Sequence, residues 1–444
     1  MKRLLILLAL PLAACVSSRS VGTSDSPAKS WTPPANVAAA ILPANLPEGV
    51  TPGATLSLPQ IIDVALRNNP QTRIAWLNAR AAEAGIGVAQ SNFYPEVDLD
   101  GNITRANTGT TFGPSLTLNY LLFDFGGRAA DVEQARQTLI AADFLHNQAI
   151  QDVVLRVQQS YYGFLDAKAL LAAQDATIKE RQTSLDAAEA RHNSGVATIA
   201  DVLQARTALS QAQLNRETFA GSVRTFEGEI ATAMGLPAAT HFEFGELPSQ
   251  VPSAAVTDAV EALIAQAVQQ RPDLAASRAD AERAQAHVTS VRSSYLPALT
   301  ATSSLGETFF GTSTHQTPYS AGLAVHWPVF TGFRNTYDVR QAQTQADIAR
   351  EAVRNSEQQV MQVWTSYYAL QTATQRLATS RDLLASAQQS ADVAQNRYRA
   401  GVGSILDVLT AEAALENARA QEVQSRADWF LSVAQLAHDT GSLK

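Results

Sequence analysis

One short stretch occurs twice, and that repetition limits the possible folds severely. It reads Gly195-Val-Ala-Thr-Ile-Ala-Asp201-Val-Leu-Gln-Ala205 and, 206 positions later, Gly401-Val-Gly-Ser-Ile-Leu-Asp407-Val-Leu-Thr-Ala411. Each copy follows a long run nearly free of Gly and Pro and precedes another run rich in Ala, Gln, Glu and Arg. The pattern predicts helix, tight turn, helix. Gly195 and Gly401 stand where a helix C-terminus takes a left-handed residue, and Thr198 and Ser404 where the next helix takes its N-cap. Past the turns, Val202, Ala205, Leu209 and Ala212 match Val408, Ala411, Leu415 and Ala418. That three-four alternation is a coiled-coil seam whose small residues allow close approach.

The runs before the turns are long. Arg128 to Ser194 contains no Pro and only Gly163, and Arg334 to Ala400 contains neither Gly nor Pro. As one helix, each would extend about 100 Å, several times the radius of an ordinary domain. Ser160-Tyr-Tyr162 and Ser366-Tyr-Tyr368 recur at the same offset. Their surfaces of Gln, Ser, Arg, Glu and Ala suit a thin wall of helices and not a thick globular core.

Duplication continues upstream. Leu56 to Asn92 has helical periodicity interrupted at Asn69-Pro70, with Leu58, Ile61, Ile62, Ala65 and Leu66 on one face. Val256 to Val291 repeats the layout around Gln270-Arg271-Pro272. The period then changes from helix to strand. In 97–123, Leu116, Leu118, Tyr120 and Leu122 alternate with Ser115, Thr117 and Asn119; in 298–330, Tyr319, Ala321, Leu323, Val325 and Trp327 alternate with small or polar residues. Each half thus predicts one hairpin, four strands in all, of a length and pattern suited to a transmembrane barrel, with a soluble sheet that has one wet face as the plainer alternative. An open four-stranded sheet leaves edges unpaired in lipid, so closure needs other copies. Two copies give 8 strands and a filled interior; three give 12 and a lumen.

At the N-terminus, Lys2 and Arg3 precede the apolar run Leu4–Leu12, followed by Ala13-Ala14-Cys15. This is an export signal, too short to span a bilayer. It is similar to the bacterial lipoprotein signal, which implies a mature chain beginning at an acylated Cys15. Val16, where inner-membrane retention would require Asp, points to the outer membrane. The division expected is a signal at 1–14, a lipidated Pro-rich tether at 15–55, a first repeat at 56–235, a linker at 236–252, a second repeat at 253–441 and a tail at 442–444.

The chain has a formal net charge of -8, which argues against nucleic acid as a partner. Its one cysteine excludes a disulfide framework. The histidines lack metal-ligand spacing, Gly85-Ile-Gly87 lacks the third glycine of a dinucleotide loop, and no Gly-x-Ser-x-Gly elbow occurs. Neither an enzyme, a cofactor nor a metal centre is expected.

With the repeated Gly-x5-Asp-Val-Leu-x-Ala turn, the Leu122-Phe-Asp-Phe-Gly-Gly-Arg128 passage, its shorter equivalent Val329-Phe-Thr-Gly-Phe-Arg334 and the helix-Pro-helix openings, the sequence resembles the outer-membrane efflux proteins. These are the TolC-like outer-membrane factors, and the lipoprotein branch in particular. The resemblance implies a mainly α fold with transmembrane β: a homotrimer whose 12-stranded outer-membrane barrel continues into a periplasmic α-barrel of long hairpins. It implies a periplasmic adaptor, an inner-membrane transporter expected to be proton-driven, outer-membrane lipid as surroundings, and conduction of small molecules without chemistry.

Carried over residue by residue, the resemblance assigns the periplasmic gate to Asp407 and Tyr398. It assigns adaptor docking to the turns holding Gly195, Asp201, Val202, Leu203, Gly401, Val408 and Leu409. Gly403 and Thr410 depart from the Arg and second acid that some members carry. A carboxylate ring at Asp407 would favour cations and respond to pH, whereas the plainer role for Asp201 and Asp407 is to sit in the first turn of a helix. Two other functions fit parts of the pattern: the outer component of a type I protein secretion system, and a lipid-anchored periplasmic coiled-coil scaffold without a pore.

Overall fold

The computed structural model describes residues 53, 55–107, 109–251, 259–310 and 314–443. Cys15, the export signal and nearly all of the expected tether lie outside them. The first half runs β1 (Thr55–Leu56), α1 (Leu58–Asn68), α2 (Pro70–Ser91), β2 (Glu96–Ala106), β3 (Gly109–Phe123), α3 (Gly127–Asn193) and α4 (Ile199–Ala233). The second runs β4 (Glu243–Phe244), α5 (Val260–Gln270), α6 (Pro272–Ser293), β5 (Ala298–Gly306), β6 (Thr308–Phe310), β7 (Thr314–Gln316), β8 (Tyr319–His326), α7 (Arg334–Gln359), α8 (Gln362–Arg399) and α9 (Ile405–Asp439).

Pro70 and Pro272 each open a helix at its first position, where the missing N–H costs nothing. Asn69 also caps α2, its side chain accepting from the Gln71 N–H at 2.8 Å. Leu56 is not helical as expected: it forms β1, which pairs in parallel with β4 inside the expected linker. The cause is aromatic. Phe244 packs edge-on against Phe164 of α3, with ring centroids 4.8 Å apart, and so pins the linker to that helix.

The sheet has the path β2-β3-β5-β8. Its antiparallel register sets Leu99 opposite Leu116, Leu116 opposite Leu305, and Leu305 opposite Tyr319. Because side chains alternate in direction, this puts Val97, Leu99, Leu116, Leu118, Leu299, Leu305, Leu323 and Val325 on one face and Asp98, Asp100, Ser115, Thr117, Thr302, Ser304 and Ser320 on the other. β6 and β7 prolong the β5–β8 hairpin in unchanged register, with Thr308 opposite Gln316. The four expected strands are therefore four, the last two broken at Glu307 and at Thr317-Pro318, where proline cannot donate to the ladder. Trp327 falls beyond β8, so its alternation outlasts the pairing.

α3 spans 67 residues unbroken, but its counterpart does not. The second run is split into α7 and α8 at Val360-Met361, without Gly or Pro. Around the split the bonding tightens to Met361 N–H to Gln358 O and Val363 N–H to Val360 O. The side chain of Arg271, buried at the α5–α6 junction, donates to the carbonyl of Gln359 at 3.2 Å. That draws the carbonyl out of the helix ladder. Asn69, which occupies the corresponding place in the first half, is too short for this and donates to Ala233 O at the end of α4.

Helix packing follows the sheet path. α2 packs on α3, α3 on α6, and α6 on α7. Toward the turns the neighbours are α4 with α3, α3 with α9, and α9 with α8. One apolar cluster gathers Leu274, Val363, Leu370, Leu377, Trp429 and Leu436. Beside it, a polar stitch joins the halves: His438 of α9 lies 2.9 Å from Asp152 of α3 and 3.1 Å from Asp439, which accepts from Ser366 of α8.

Candidate functional site

The two turns close in the same way. In the first, Gly195 N–H donates to His192 O and Val196 N–H to Arg191 O; in the second, Gly401 N–H donates to Tyr398 O and Val402 N–H to Arg397 O. Gly195 and Gly401 have φ of 74° and 81°, the left-handed geometry that lets a helix end this way at no steric cost. Thr198 and Ser404 then cap α4 and α9, accepting from the N–H of Asp201 and Asp407, while each carboxylate accepts from the cap's own N–H at 3.1 and 3.2 Å. These are two reciprocal capping boxes. Both acids thus have the plain helix-opening role.

Asp407 is nevertheless exposed, and its carboxyl is held below the usual carboxylate range by the N–H and hydroxyl of Ser404, with Arg397 adding to the effect. It stays ionised while facing solvent, so the cap leaves its charge available. Gly403 has a local reason: a Cβ there would lie 3.1 Å from the Tyr398 nitrogen and 3.2 Å from Arg397. A side chain at that position needs the preceding helix end to give way.

Tyr398 is 4% exposed. The guanidinium of Arg191, from the other hairpin, lies over its ring at 4.8 Å and donates to its carbonyl at 2.9 Å. This is a cation–π contact joined to a charge-assisted hydrogen bond. Burial pushes the Tyr398 phenol up, and its hydroxyl has no partner among the described residues. Sequence reasoning missed Arg191, although its repeat partner Arg397 and the match of His192 to Tyr398 mark the two positions as a pair.

Of the expected docking residues, Val202 and Val408 are buried. They join Leu185, Ala188, Ala205, Leu209, Tyr398 and Ile405 in one cluster between the hairpins. Leu409 packs at its edge, and Leu203 faces outward. The other exposed apolar groups at the turns are Val196, Ile199, Val402 and Leu406, which an apolar residue preceding or opening a helix could have signalled. Hence the seam residues hold the two hairpins together, and the turn residues form the free surface.

Among the described residues no helix is long and apolar enough to cross a membrane, and no group of three or more His, Cys, Asp and Glu could hold a metal ion.

The family profile of the outer membrane efflux proteins matches residues 61–236 and 263–442, once per repeat. Protein CyaE of Bordetella pertussis is 27% identical over 390 residues, which are 83% of this chain and 80% of that one. The outer membrane efflux protein BepC of Brucella suis is 26% identical over 395 residues, 85% and 84% of the two chains. Among solved structures, the outer-membrane channel OprN superposes with a TM-score of 0.79 at 18% identity, covering 87% of this chain and 90% of its own. Its duplicated hairpins, its sheet of two hairpins and its two capped turns all accounted for, this chain belongs to the outer membrane efflux protein family.

Proposed function

We propose that the chain is one third of an outer-membrane exit duct in a tripartite efflux system, passing small molecules such as drugs from a periplasmic adaptor and a proton-driven inner-membrane pump to the exterior. The observation that carries it is a set of open edges in matching order. β2 pairs only with β3, and β8 only with β5, so both sheet edges are free among the described residues. Likewise α6 has α3 on one side and α7 on the other, whereas its repeat counterpart α2 has α3 alone as an extensive neighbour. The repeat therefore calls for an α7 beside α2 and a β8 beside β2, and only another copy can supply them. Such head-to-tail contacts close into rings. Three copies give 12 strands, with the apolar face toward lipid and the polar face around a lumen.

In this reading Cys15 carries the lipid anchor, and the two repeats are divided by the segment at 236–252. The exposed residues Val196, Ile199, Leu203, Val402 and Leu406 meet the adaptor. Asp407 rings the closed mouth, and Tyr398 with Arg191 holds it. The relatives named as efflux proteins favour small molecules over protein secretion, and membership of a channel family sets the poreless scaffold aside.

Two measurements on the detergent-purified protein test this. Its mass should be that of three copies; a monomer that stays soluble once the lipid is removed would sink the duct. In planar bilayers, Asp407→Asn, which keeps the cap's acceptor, should lower cation preference, while Asp201→Asn should leave it alone. Equal effects of the two would remove Asp407 from the mouth.

A further inference from the structure

About two to four turns of helix in from the hairpin ends lies a partly buried cluster of charge that no part of the duct reading uses. Arg181 of α3 and Glu412 of α9 are 4% and 5% exposed. Arg181 Nη1 donates to Glu412 Oε2 at 2.9 Å and to the Leu409 carbonyl at 3.2 Å, and Nη2 donates to Glu416 Oε2 at 3.3 Å. Ser184 Oγ donates to Glu412 Oε1 at 2.6 Å. Next to them, Arg419 of α9 grips Glu180 of α3 with two bonds of 2.8 and 2.9 Å. Among the described residues the other bonds to these groups come from neutral amides: Asn215 of α4 and Gln174 of α3 donate to Glu416, and Gln388 of α8 accepts from Arg419.

The charges do not balance. Glu180, Glu412 and Glu416 face Arg181 and Arg419, three carboxylates against two guanidiniums. Glu180 and Glu416 are partly exposed, at 33% and 21% of their side chains, so water screens them, whereas Glu412, at 6%, bears the full cost of an ionised carboxylate beside two others. The cheapest neutralisation is a proton on the most enclosed carboxyl, and Glu412 is that group. Its neighbour suits either state, because the Ser184 hydroxyl donates to a carboxylate and accepts from a carboxylic acid. We infer that this cluster binds one proton, at Glu412, and that the bound proton locks the two hairpins of each chain together as the medium at the periplasmic end acidifies.

The electrostatics that follow from this geometry have the same sense. Burial pushes the Glu412 carboxyl up, and Glu180 adds to this, outweighing the opposing pull of Ser184 and Arg181. The sign of the linkage follows. An acid that takes its proton more readily when packed than when solvated strengthens packing at low pH, and that contribution is lost as pH rises through its packed value. Asp407, held low by its cap, does not titrate over the same range. The site sits on the seam between α3 and α9, so its proton acts on hairpin separation directly. The inference depends on the duct reading only where conduction is measured.

Hydrogen exchange on the full-length protein in detergent, from pH 5 to pH 8 and corrected for intrinsic rates, provides the test. Amides of α9 from Val408 to Leu415 should open more often as pH rises, by up to about tenfold per pH unit across the titration. Glu412→Gln should hold exchange slow at every pH, and Glu416→Gln, which removes the surplus charge at a less enclosed position, should flatten the slope. Asp407→Asn should retain the wild-type slope. If wild-type protection is independent of pH, or Glu412→Gln exchanges faster with the slope kept, the group is a structural ion pair and the inference is wrong. If exchange behaves as expected but bilayer open probability does not fall on acidification, the proton site stands and the gate reading fails.

Discussion

The two halves of this chain share a plan and differ in how much of it they complete. Where strand becomes helix in the first half, Arg128 is buried: it pairs with Asp124, donates to the carbonyls of Asn92 and Leu122, and covers Phe93 at 4.8 Å. At the same place in the second half, Arg334 is exposed, as are Trp327, Val329, Phe330 and Phe333. α3 is continuous and touches helices from both halves, whereas α7 buries only Ala342, Ala346 and Ser356. A duplicated sequence therefore does not give two equivalent domains. The first half supplies the continuous helix α3 on which both halves pack, the second leaves its strand-to-helix passage exposed, and each half keeps one open sheet edge.

The largest expected difference lies at the paired arginines. Arg128→Ala leaves the half-buried Asp124 carboxylate with the backbone N–H of residue 128 alone and frees two carbonyls, so it should cost about 3 kcal/mol, while Arg334→Ala in the separated chain should stay within about 0.5 kcal/mol. Thermal unfolding followed by circular dichroism measures both; similar losses would end the contrast. The stitch between halves comes next. His438, bonded to Asp152 and Asp439, is raised from 6.5 to about 9 despite its burial. A raised histidine stabilises fully below 6.5 and loses that contribution as pH climbs through about 9. Melting temperature should fall over this window by the equivalent of about 3 kcal/mol, and His438→Gln should flatten the fall.

Arg271→Asn, which installs the first half's residue at the second half's junction, should cost about 2 kcal/mol through the unpaired Asp273 and the freed Gln359 carbonyl. Asp273 is half-buried, which raises its carboxyl, but Arg271 and backbone N–H groups outweigh this and leave it lowered. Its share of stability is thus present above the ordinary carboxylate value and lost as pH falls through the lowered one, and the variant should lack that acid-side loss. Hydrogen exchange at Val360–Trp364 would show whether the helix joins up. The smallest effect is a gain. Phe333 is left-handed at φ 66° and exposed, so Phe333→Gly should stabilise by about 1 kcal/mol; a lower melting temperature would mean that its ring is covered.

Periodicity made the helices, the two hairpins and the turns legible because each depends on neighbours close in sequence. The capping of Thr198 and Ser404 and the left-handed Gly195 and Gly401 are local in that sense. Gly163, the one glycine between Arg128 and Ser194, is a packing device: a Cβ there would meet the Phe226 ring of α4 at 2.6 Å. What stayed hidden depends on long side chains reaching between distant segments. Arg271 breaks a helix 88 positions away. Arg181 and Glu412 lie 231 positions apart and occupy no matching places in the repeat. Likewise, the inward turn of Val202 and Val408 follows from hairpin packing against hairpin, which the seam pattern predicted only within each hairpin.

The split at Val360-Met361 has a mechanical consequence. A helix of 67 residues with an intact ladder is a strut, stiff along its length, and α3 transmits any twist from its turn to the strand that leads into it. One tightened turn between α7 and α8 acts instead as a universal joint. Torque applied to the α8–α9 hairpin is taken up there, short of β8 and the sheet edge it forms. The α8–α9 hairpin can thus turn while the β5–β8 hairpin keeps still.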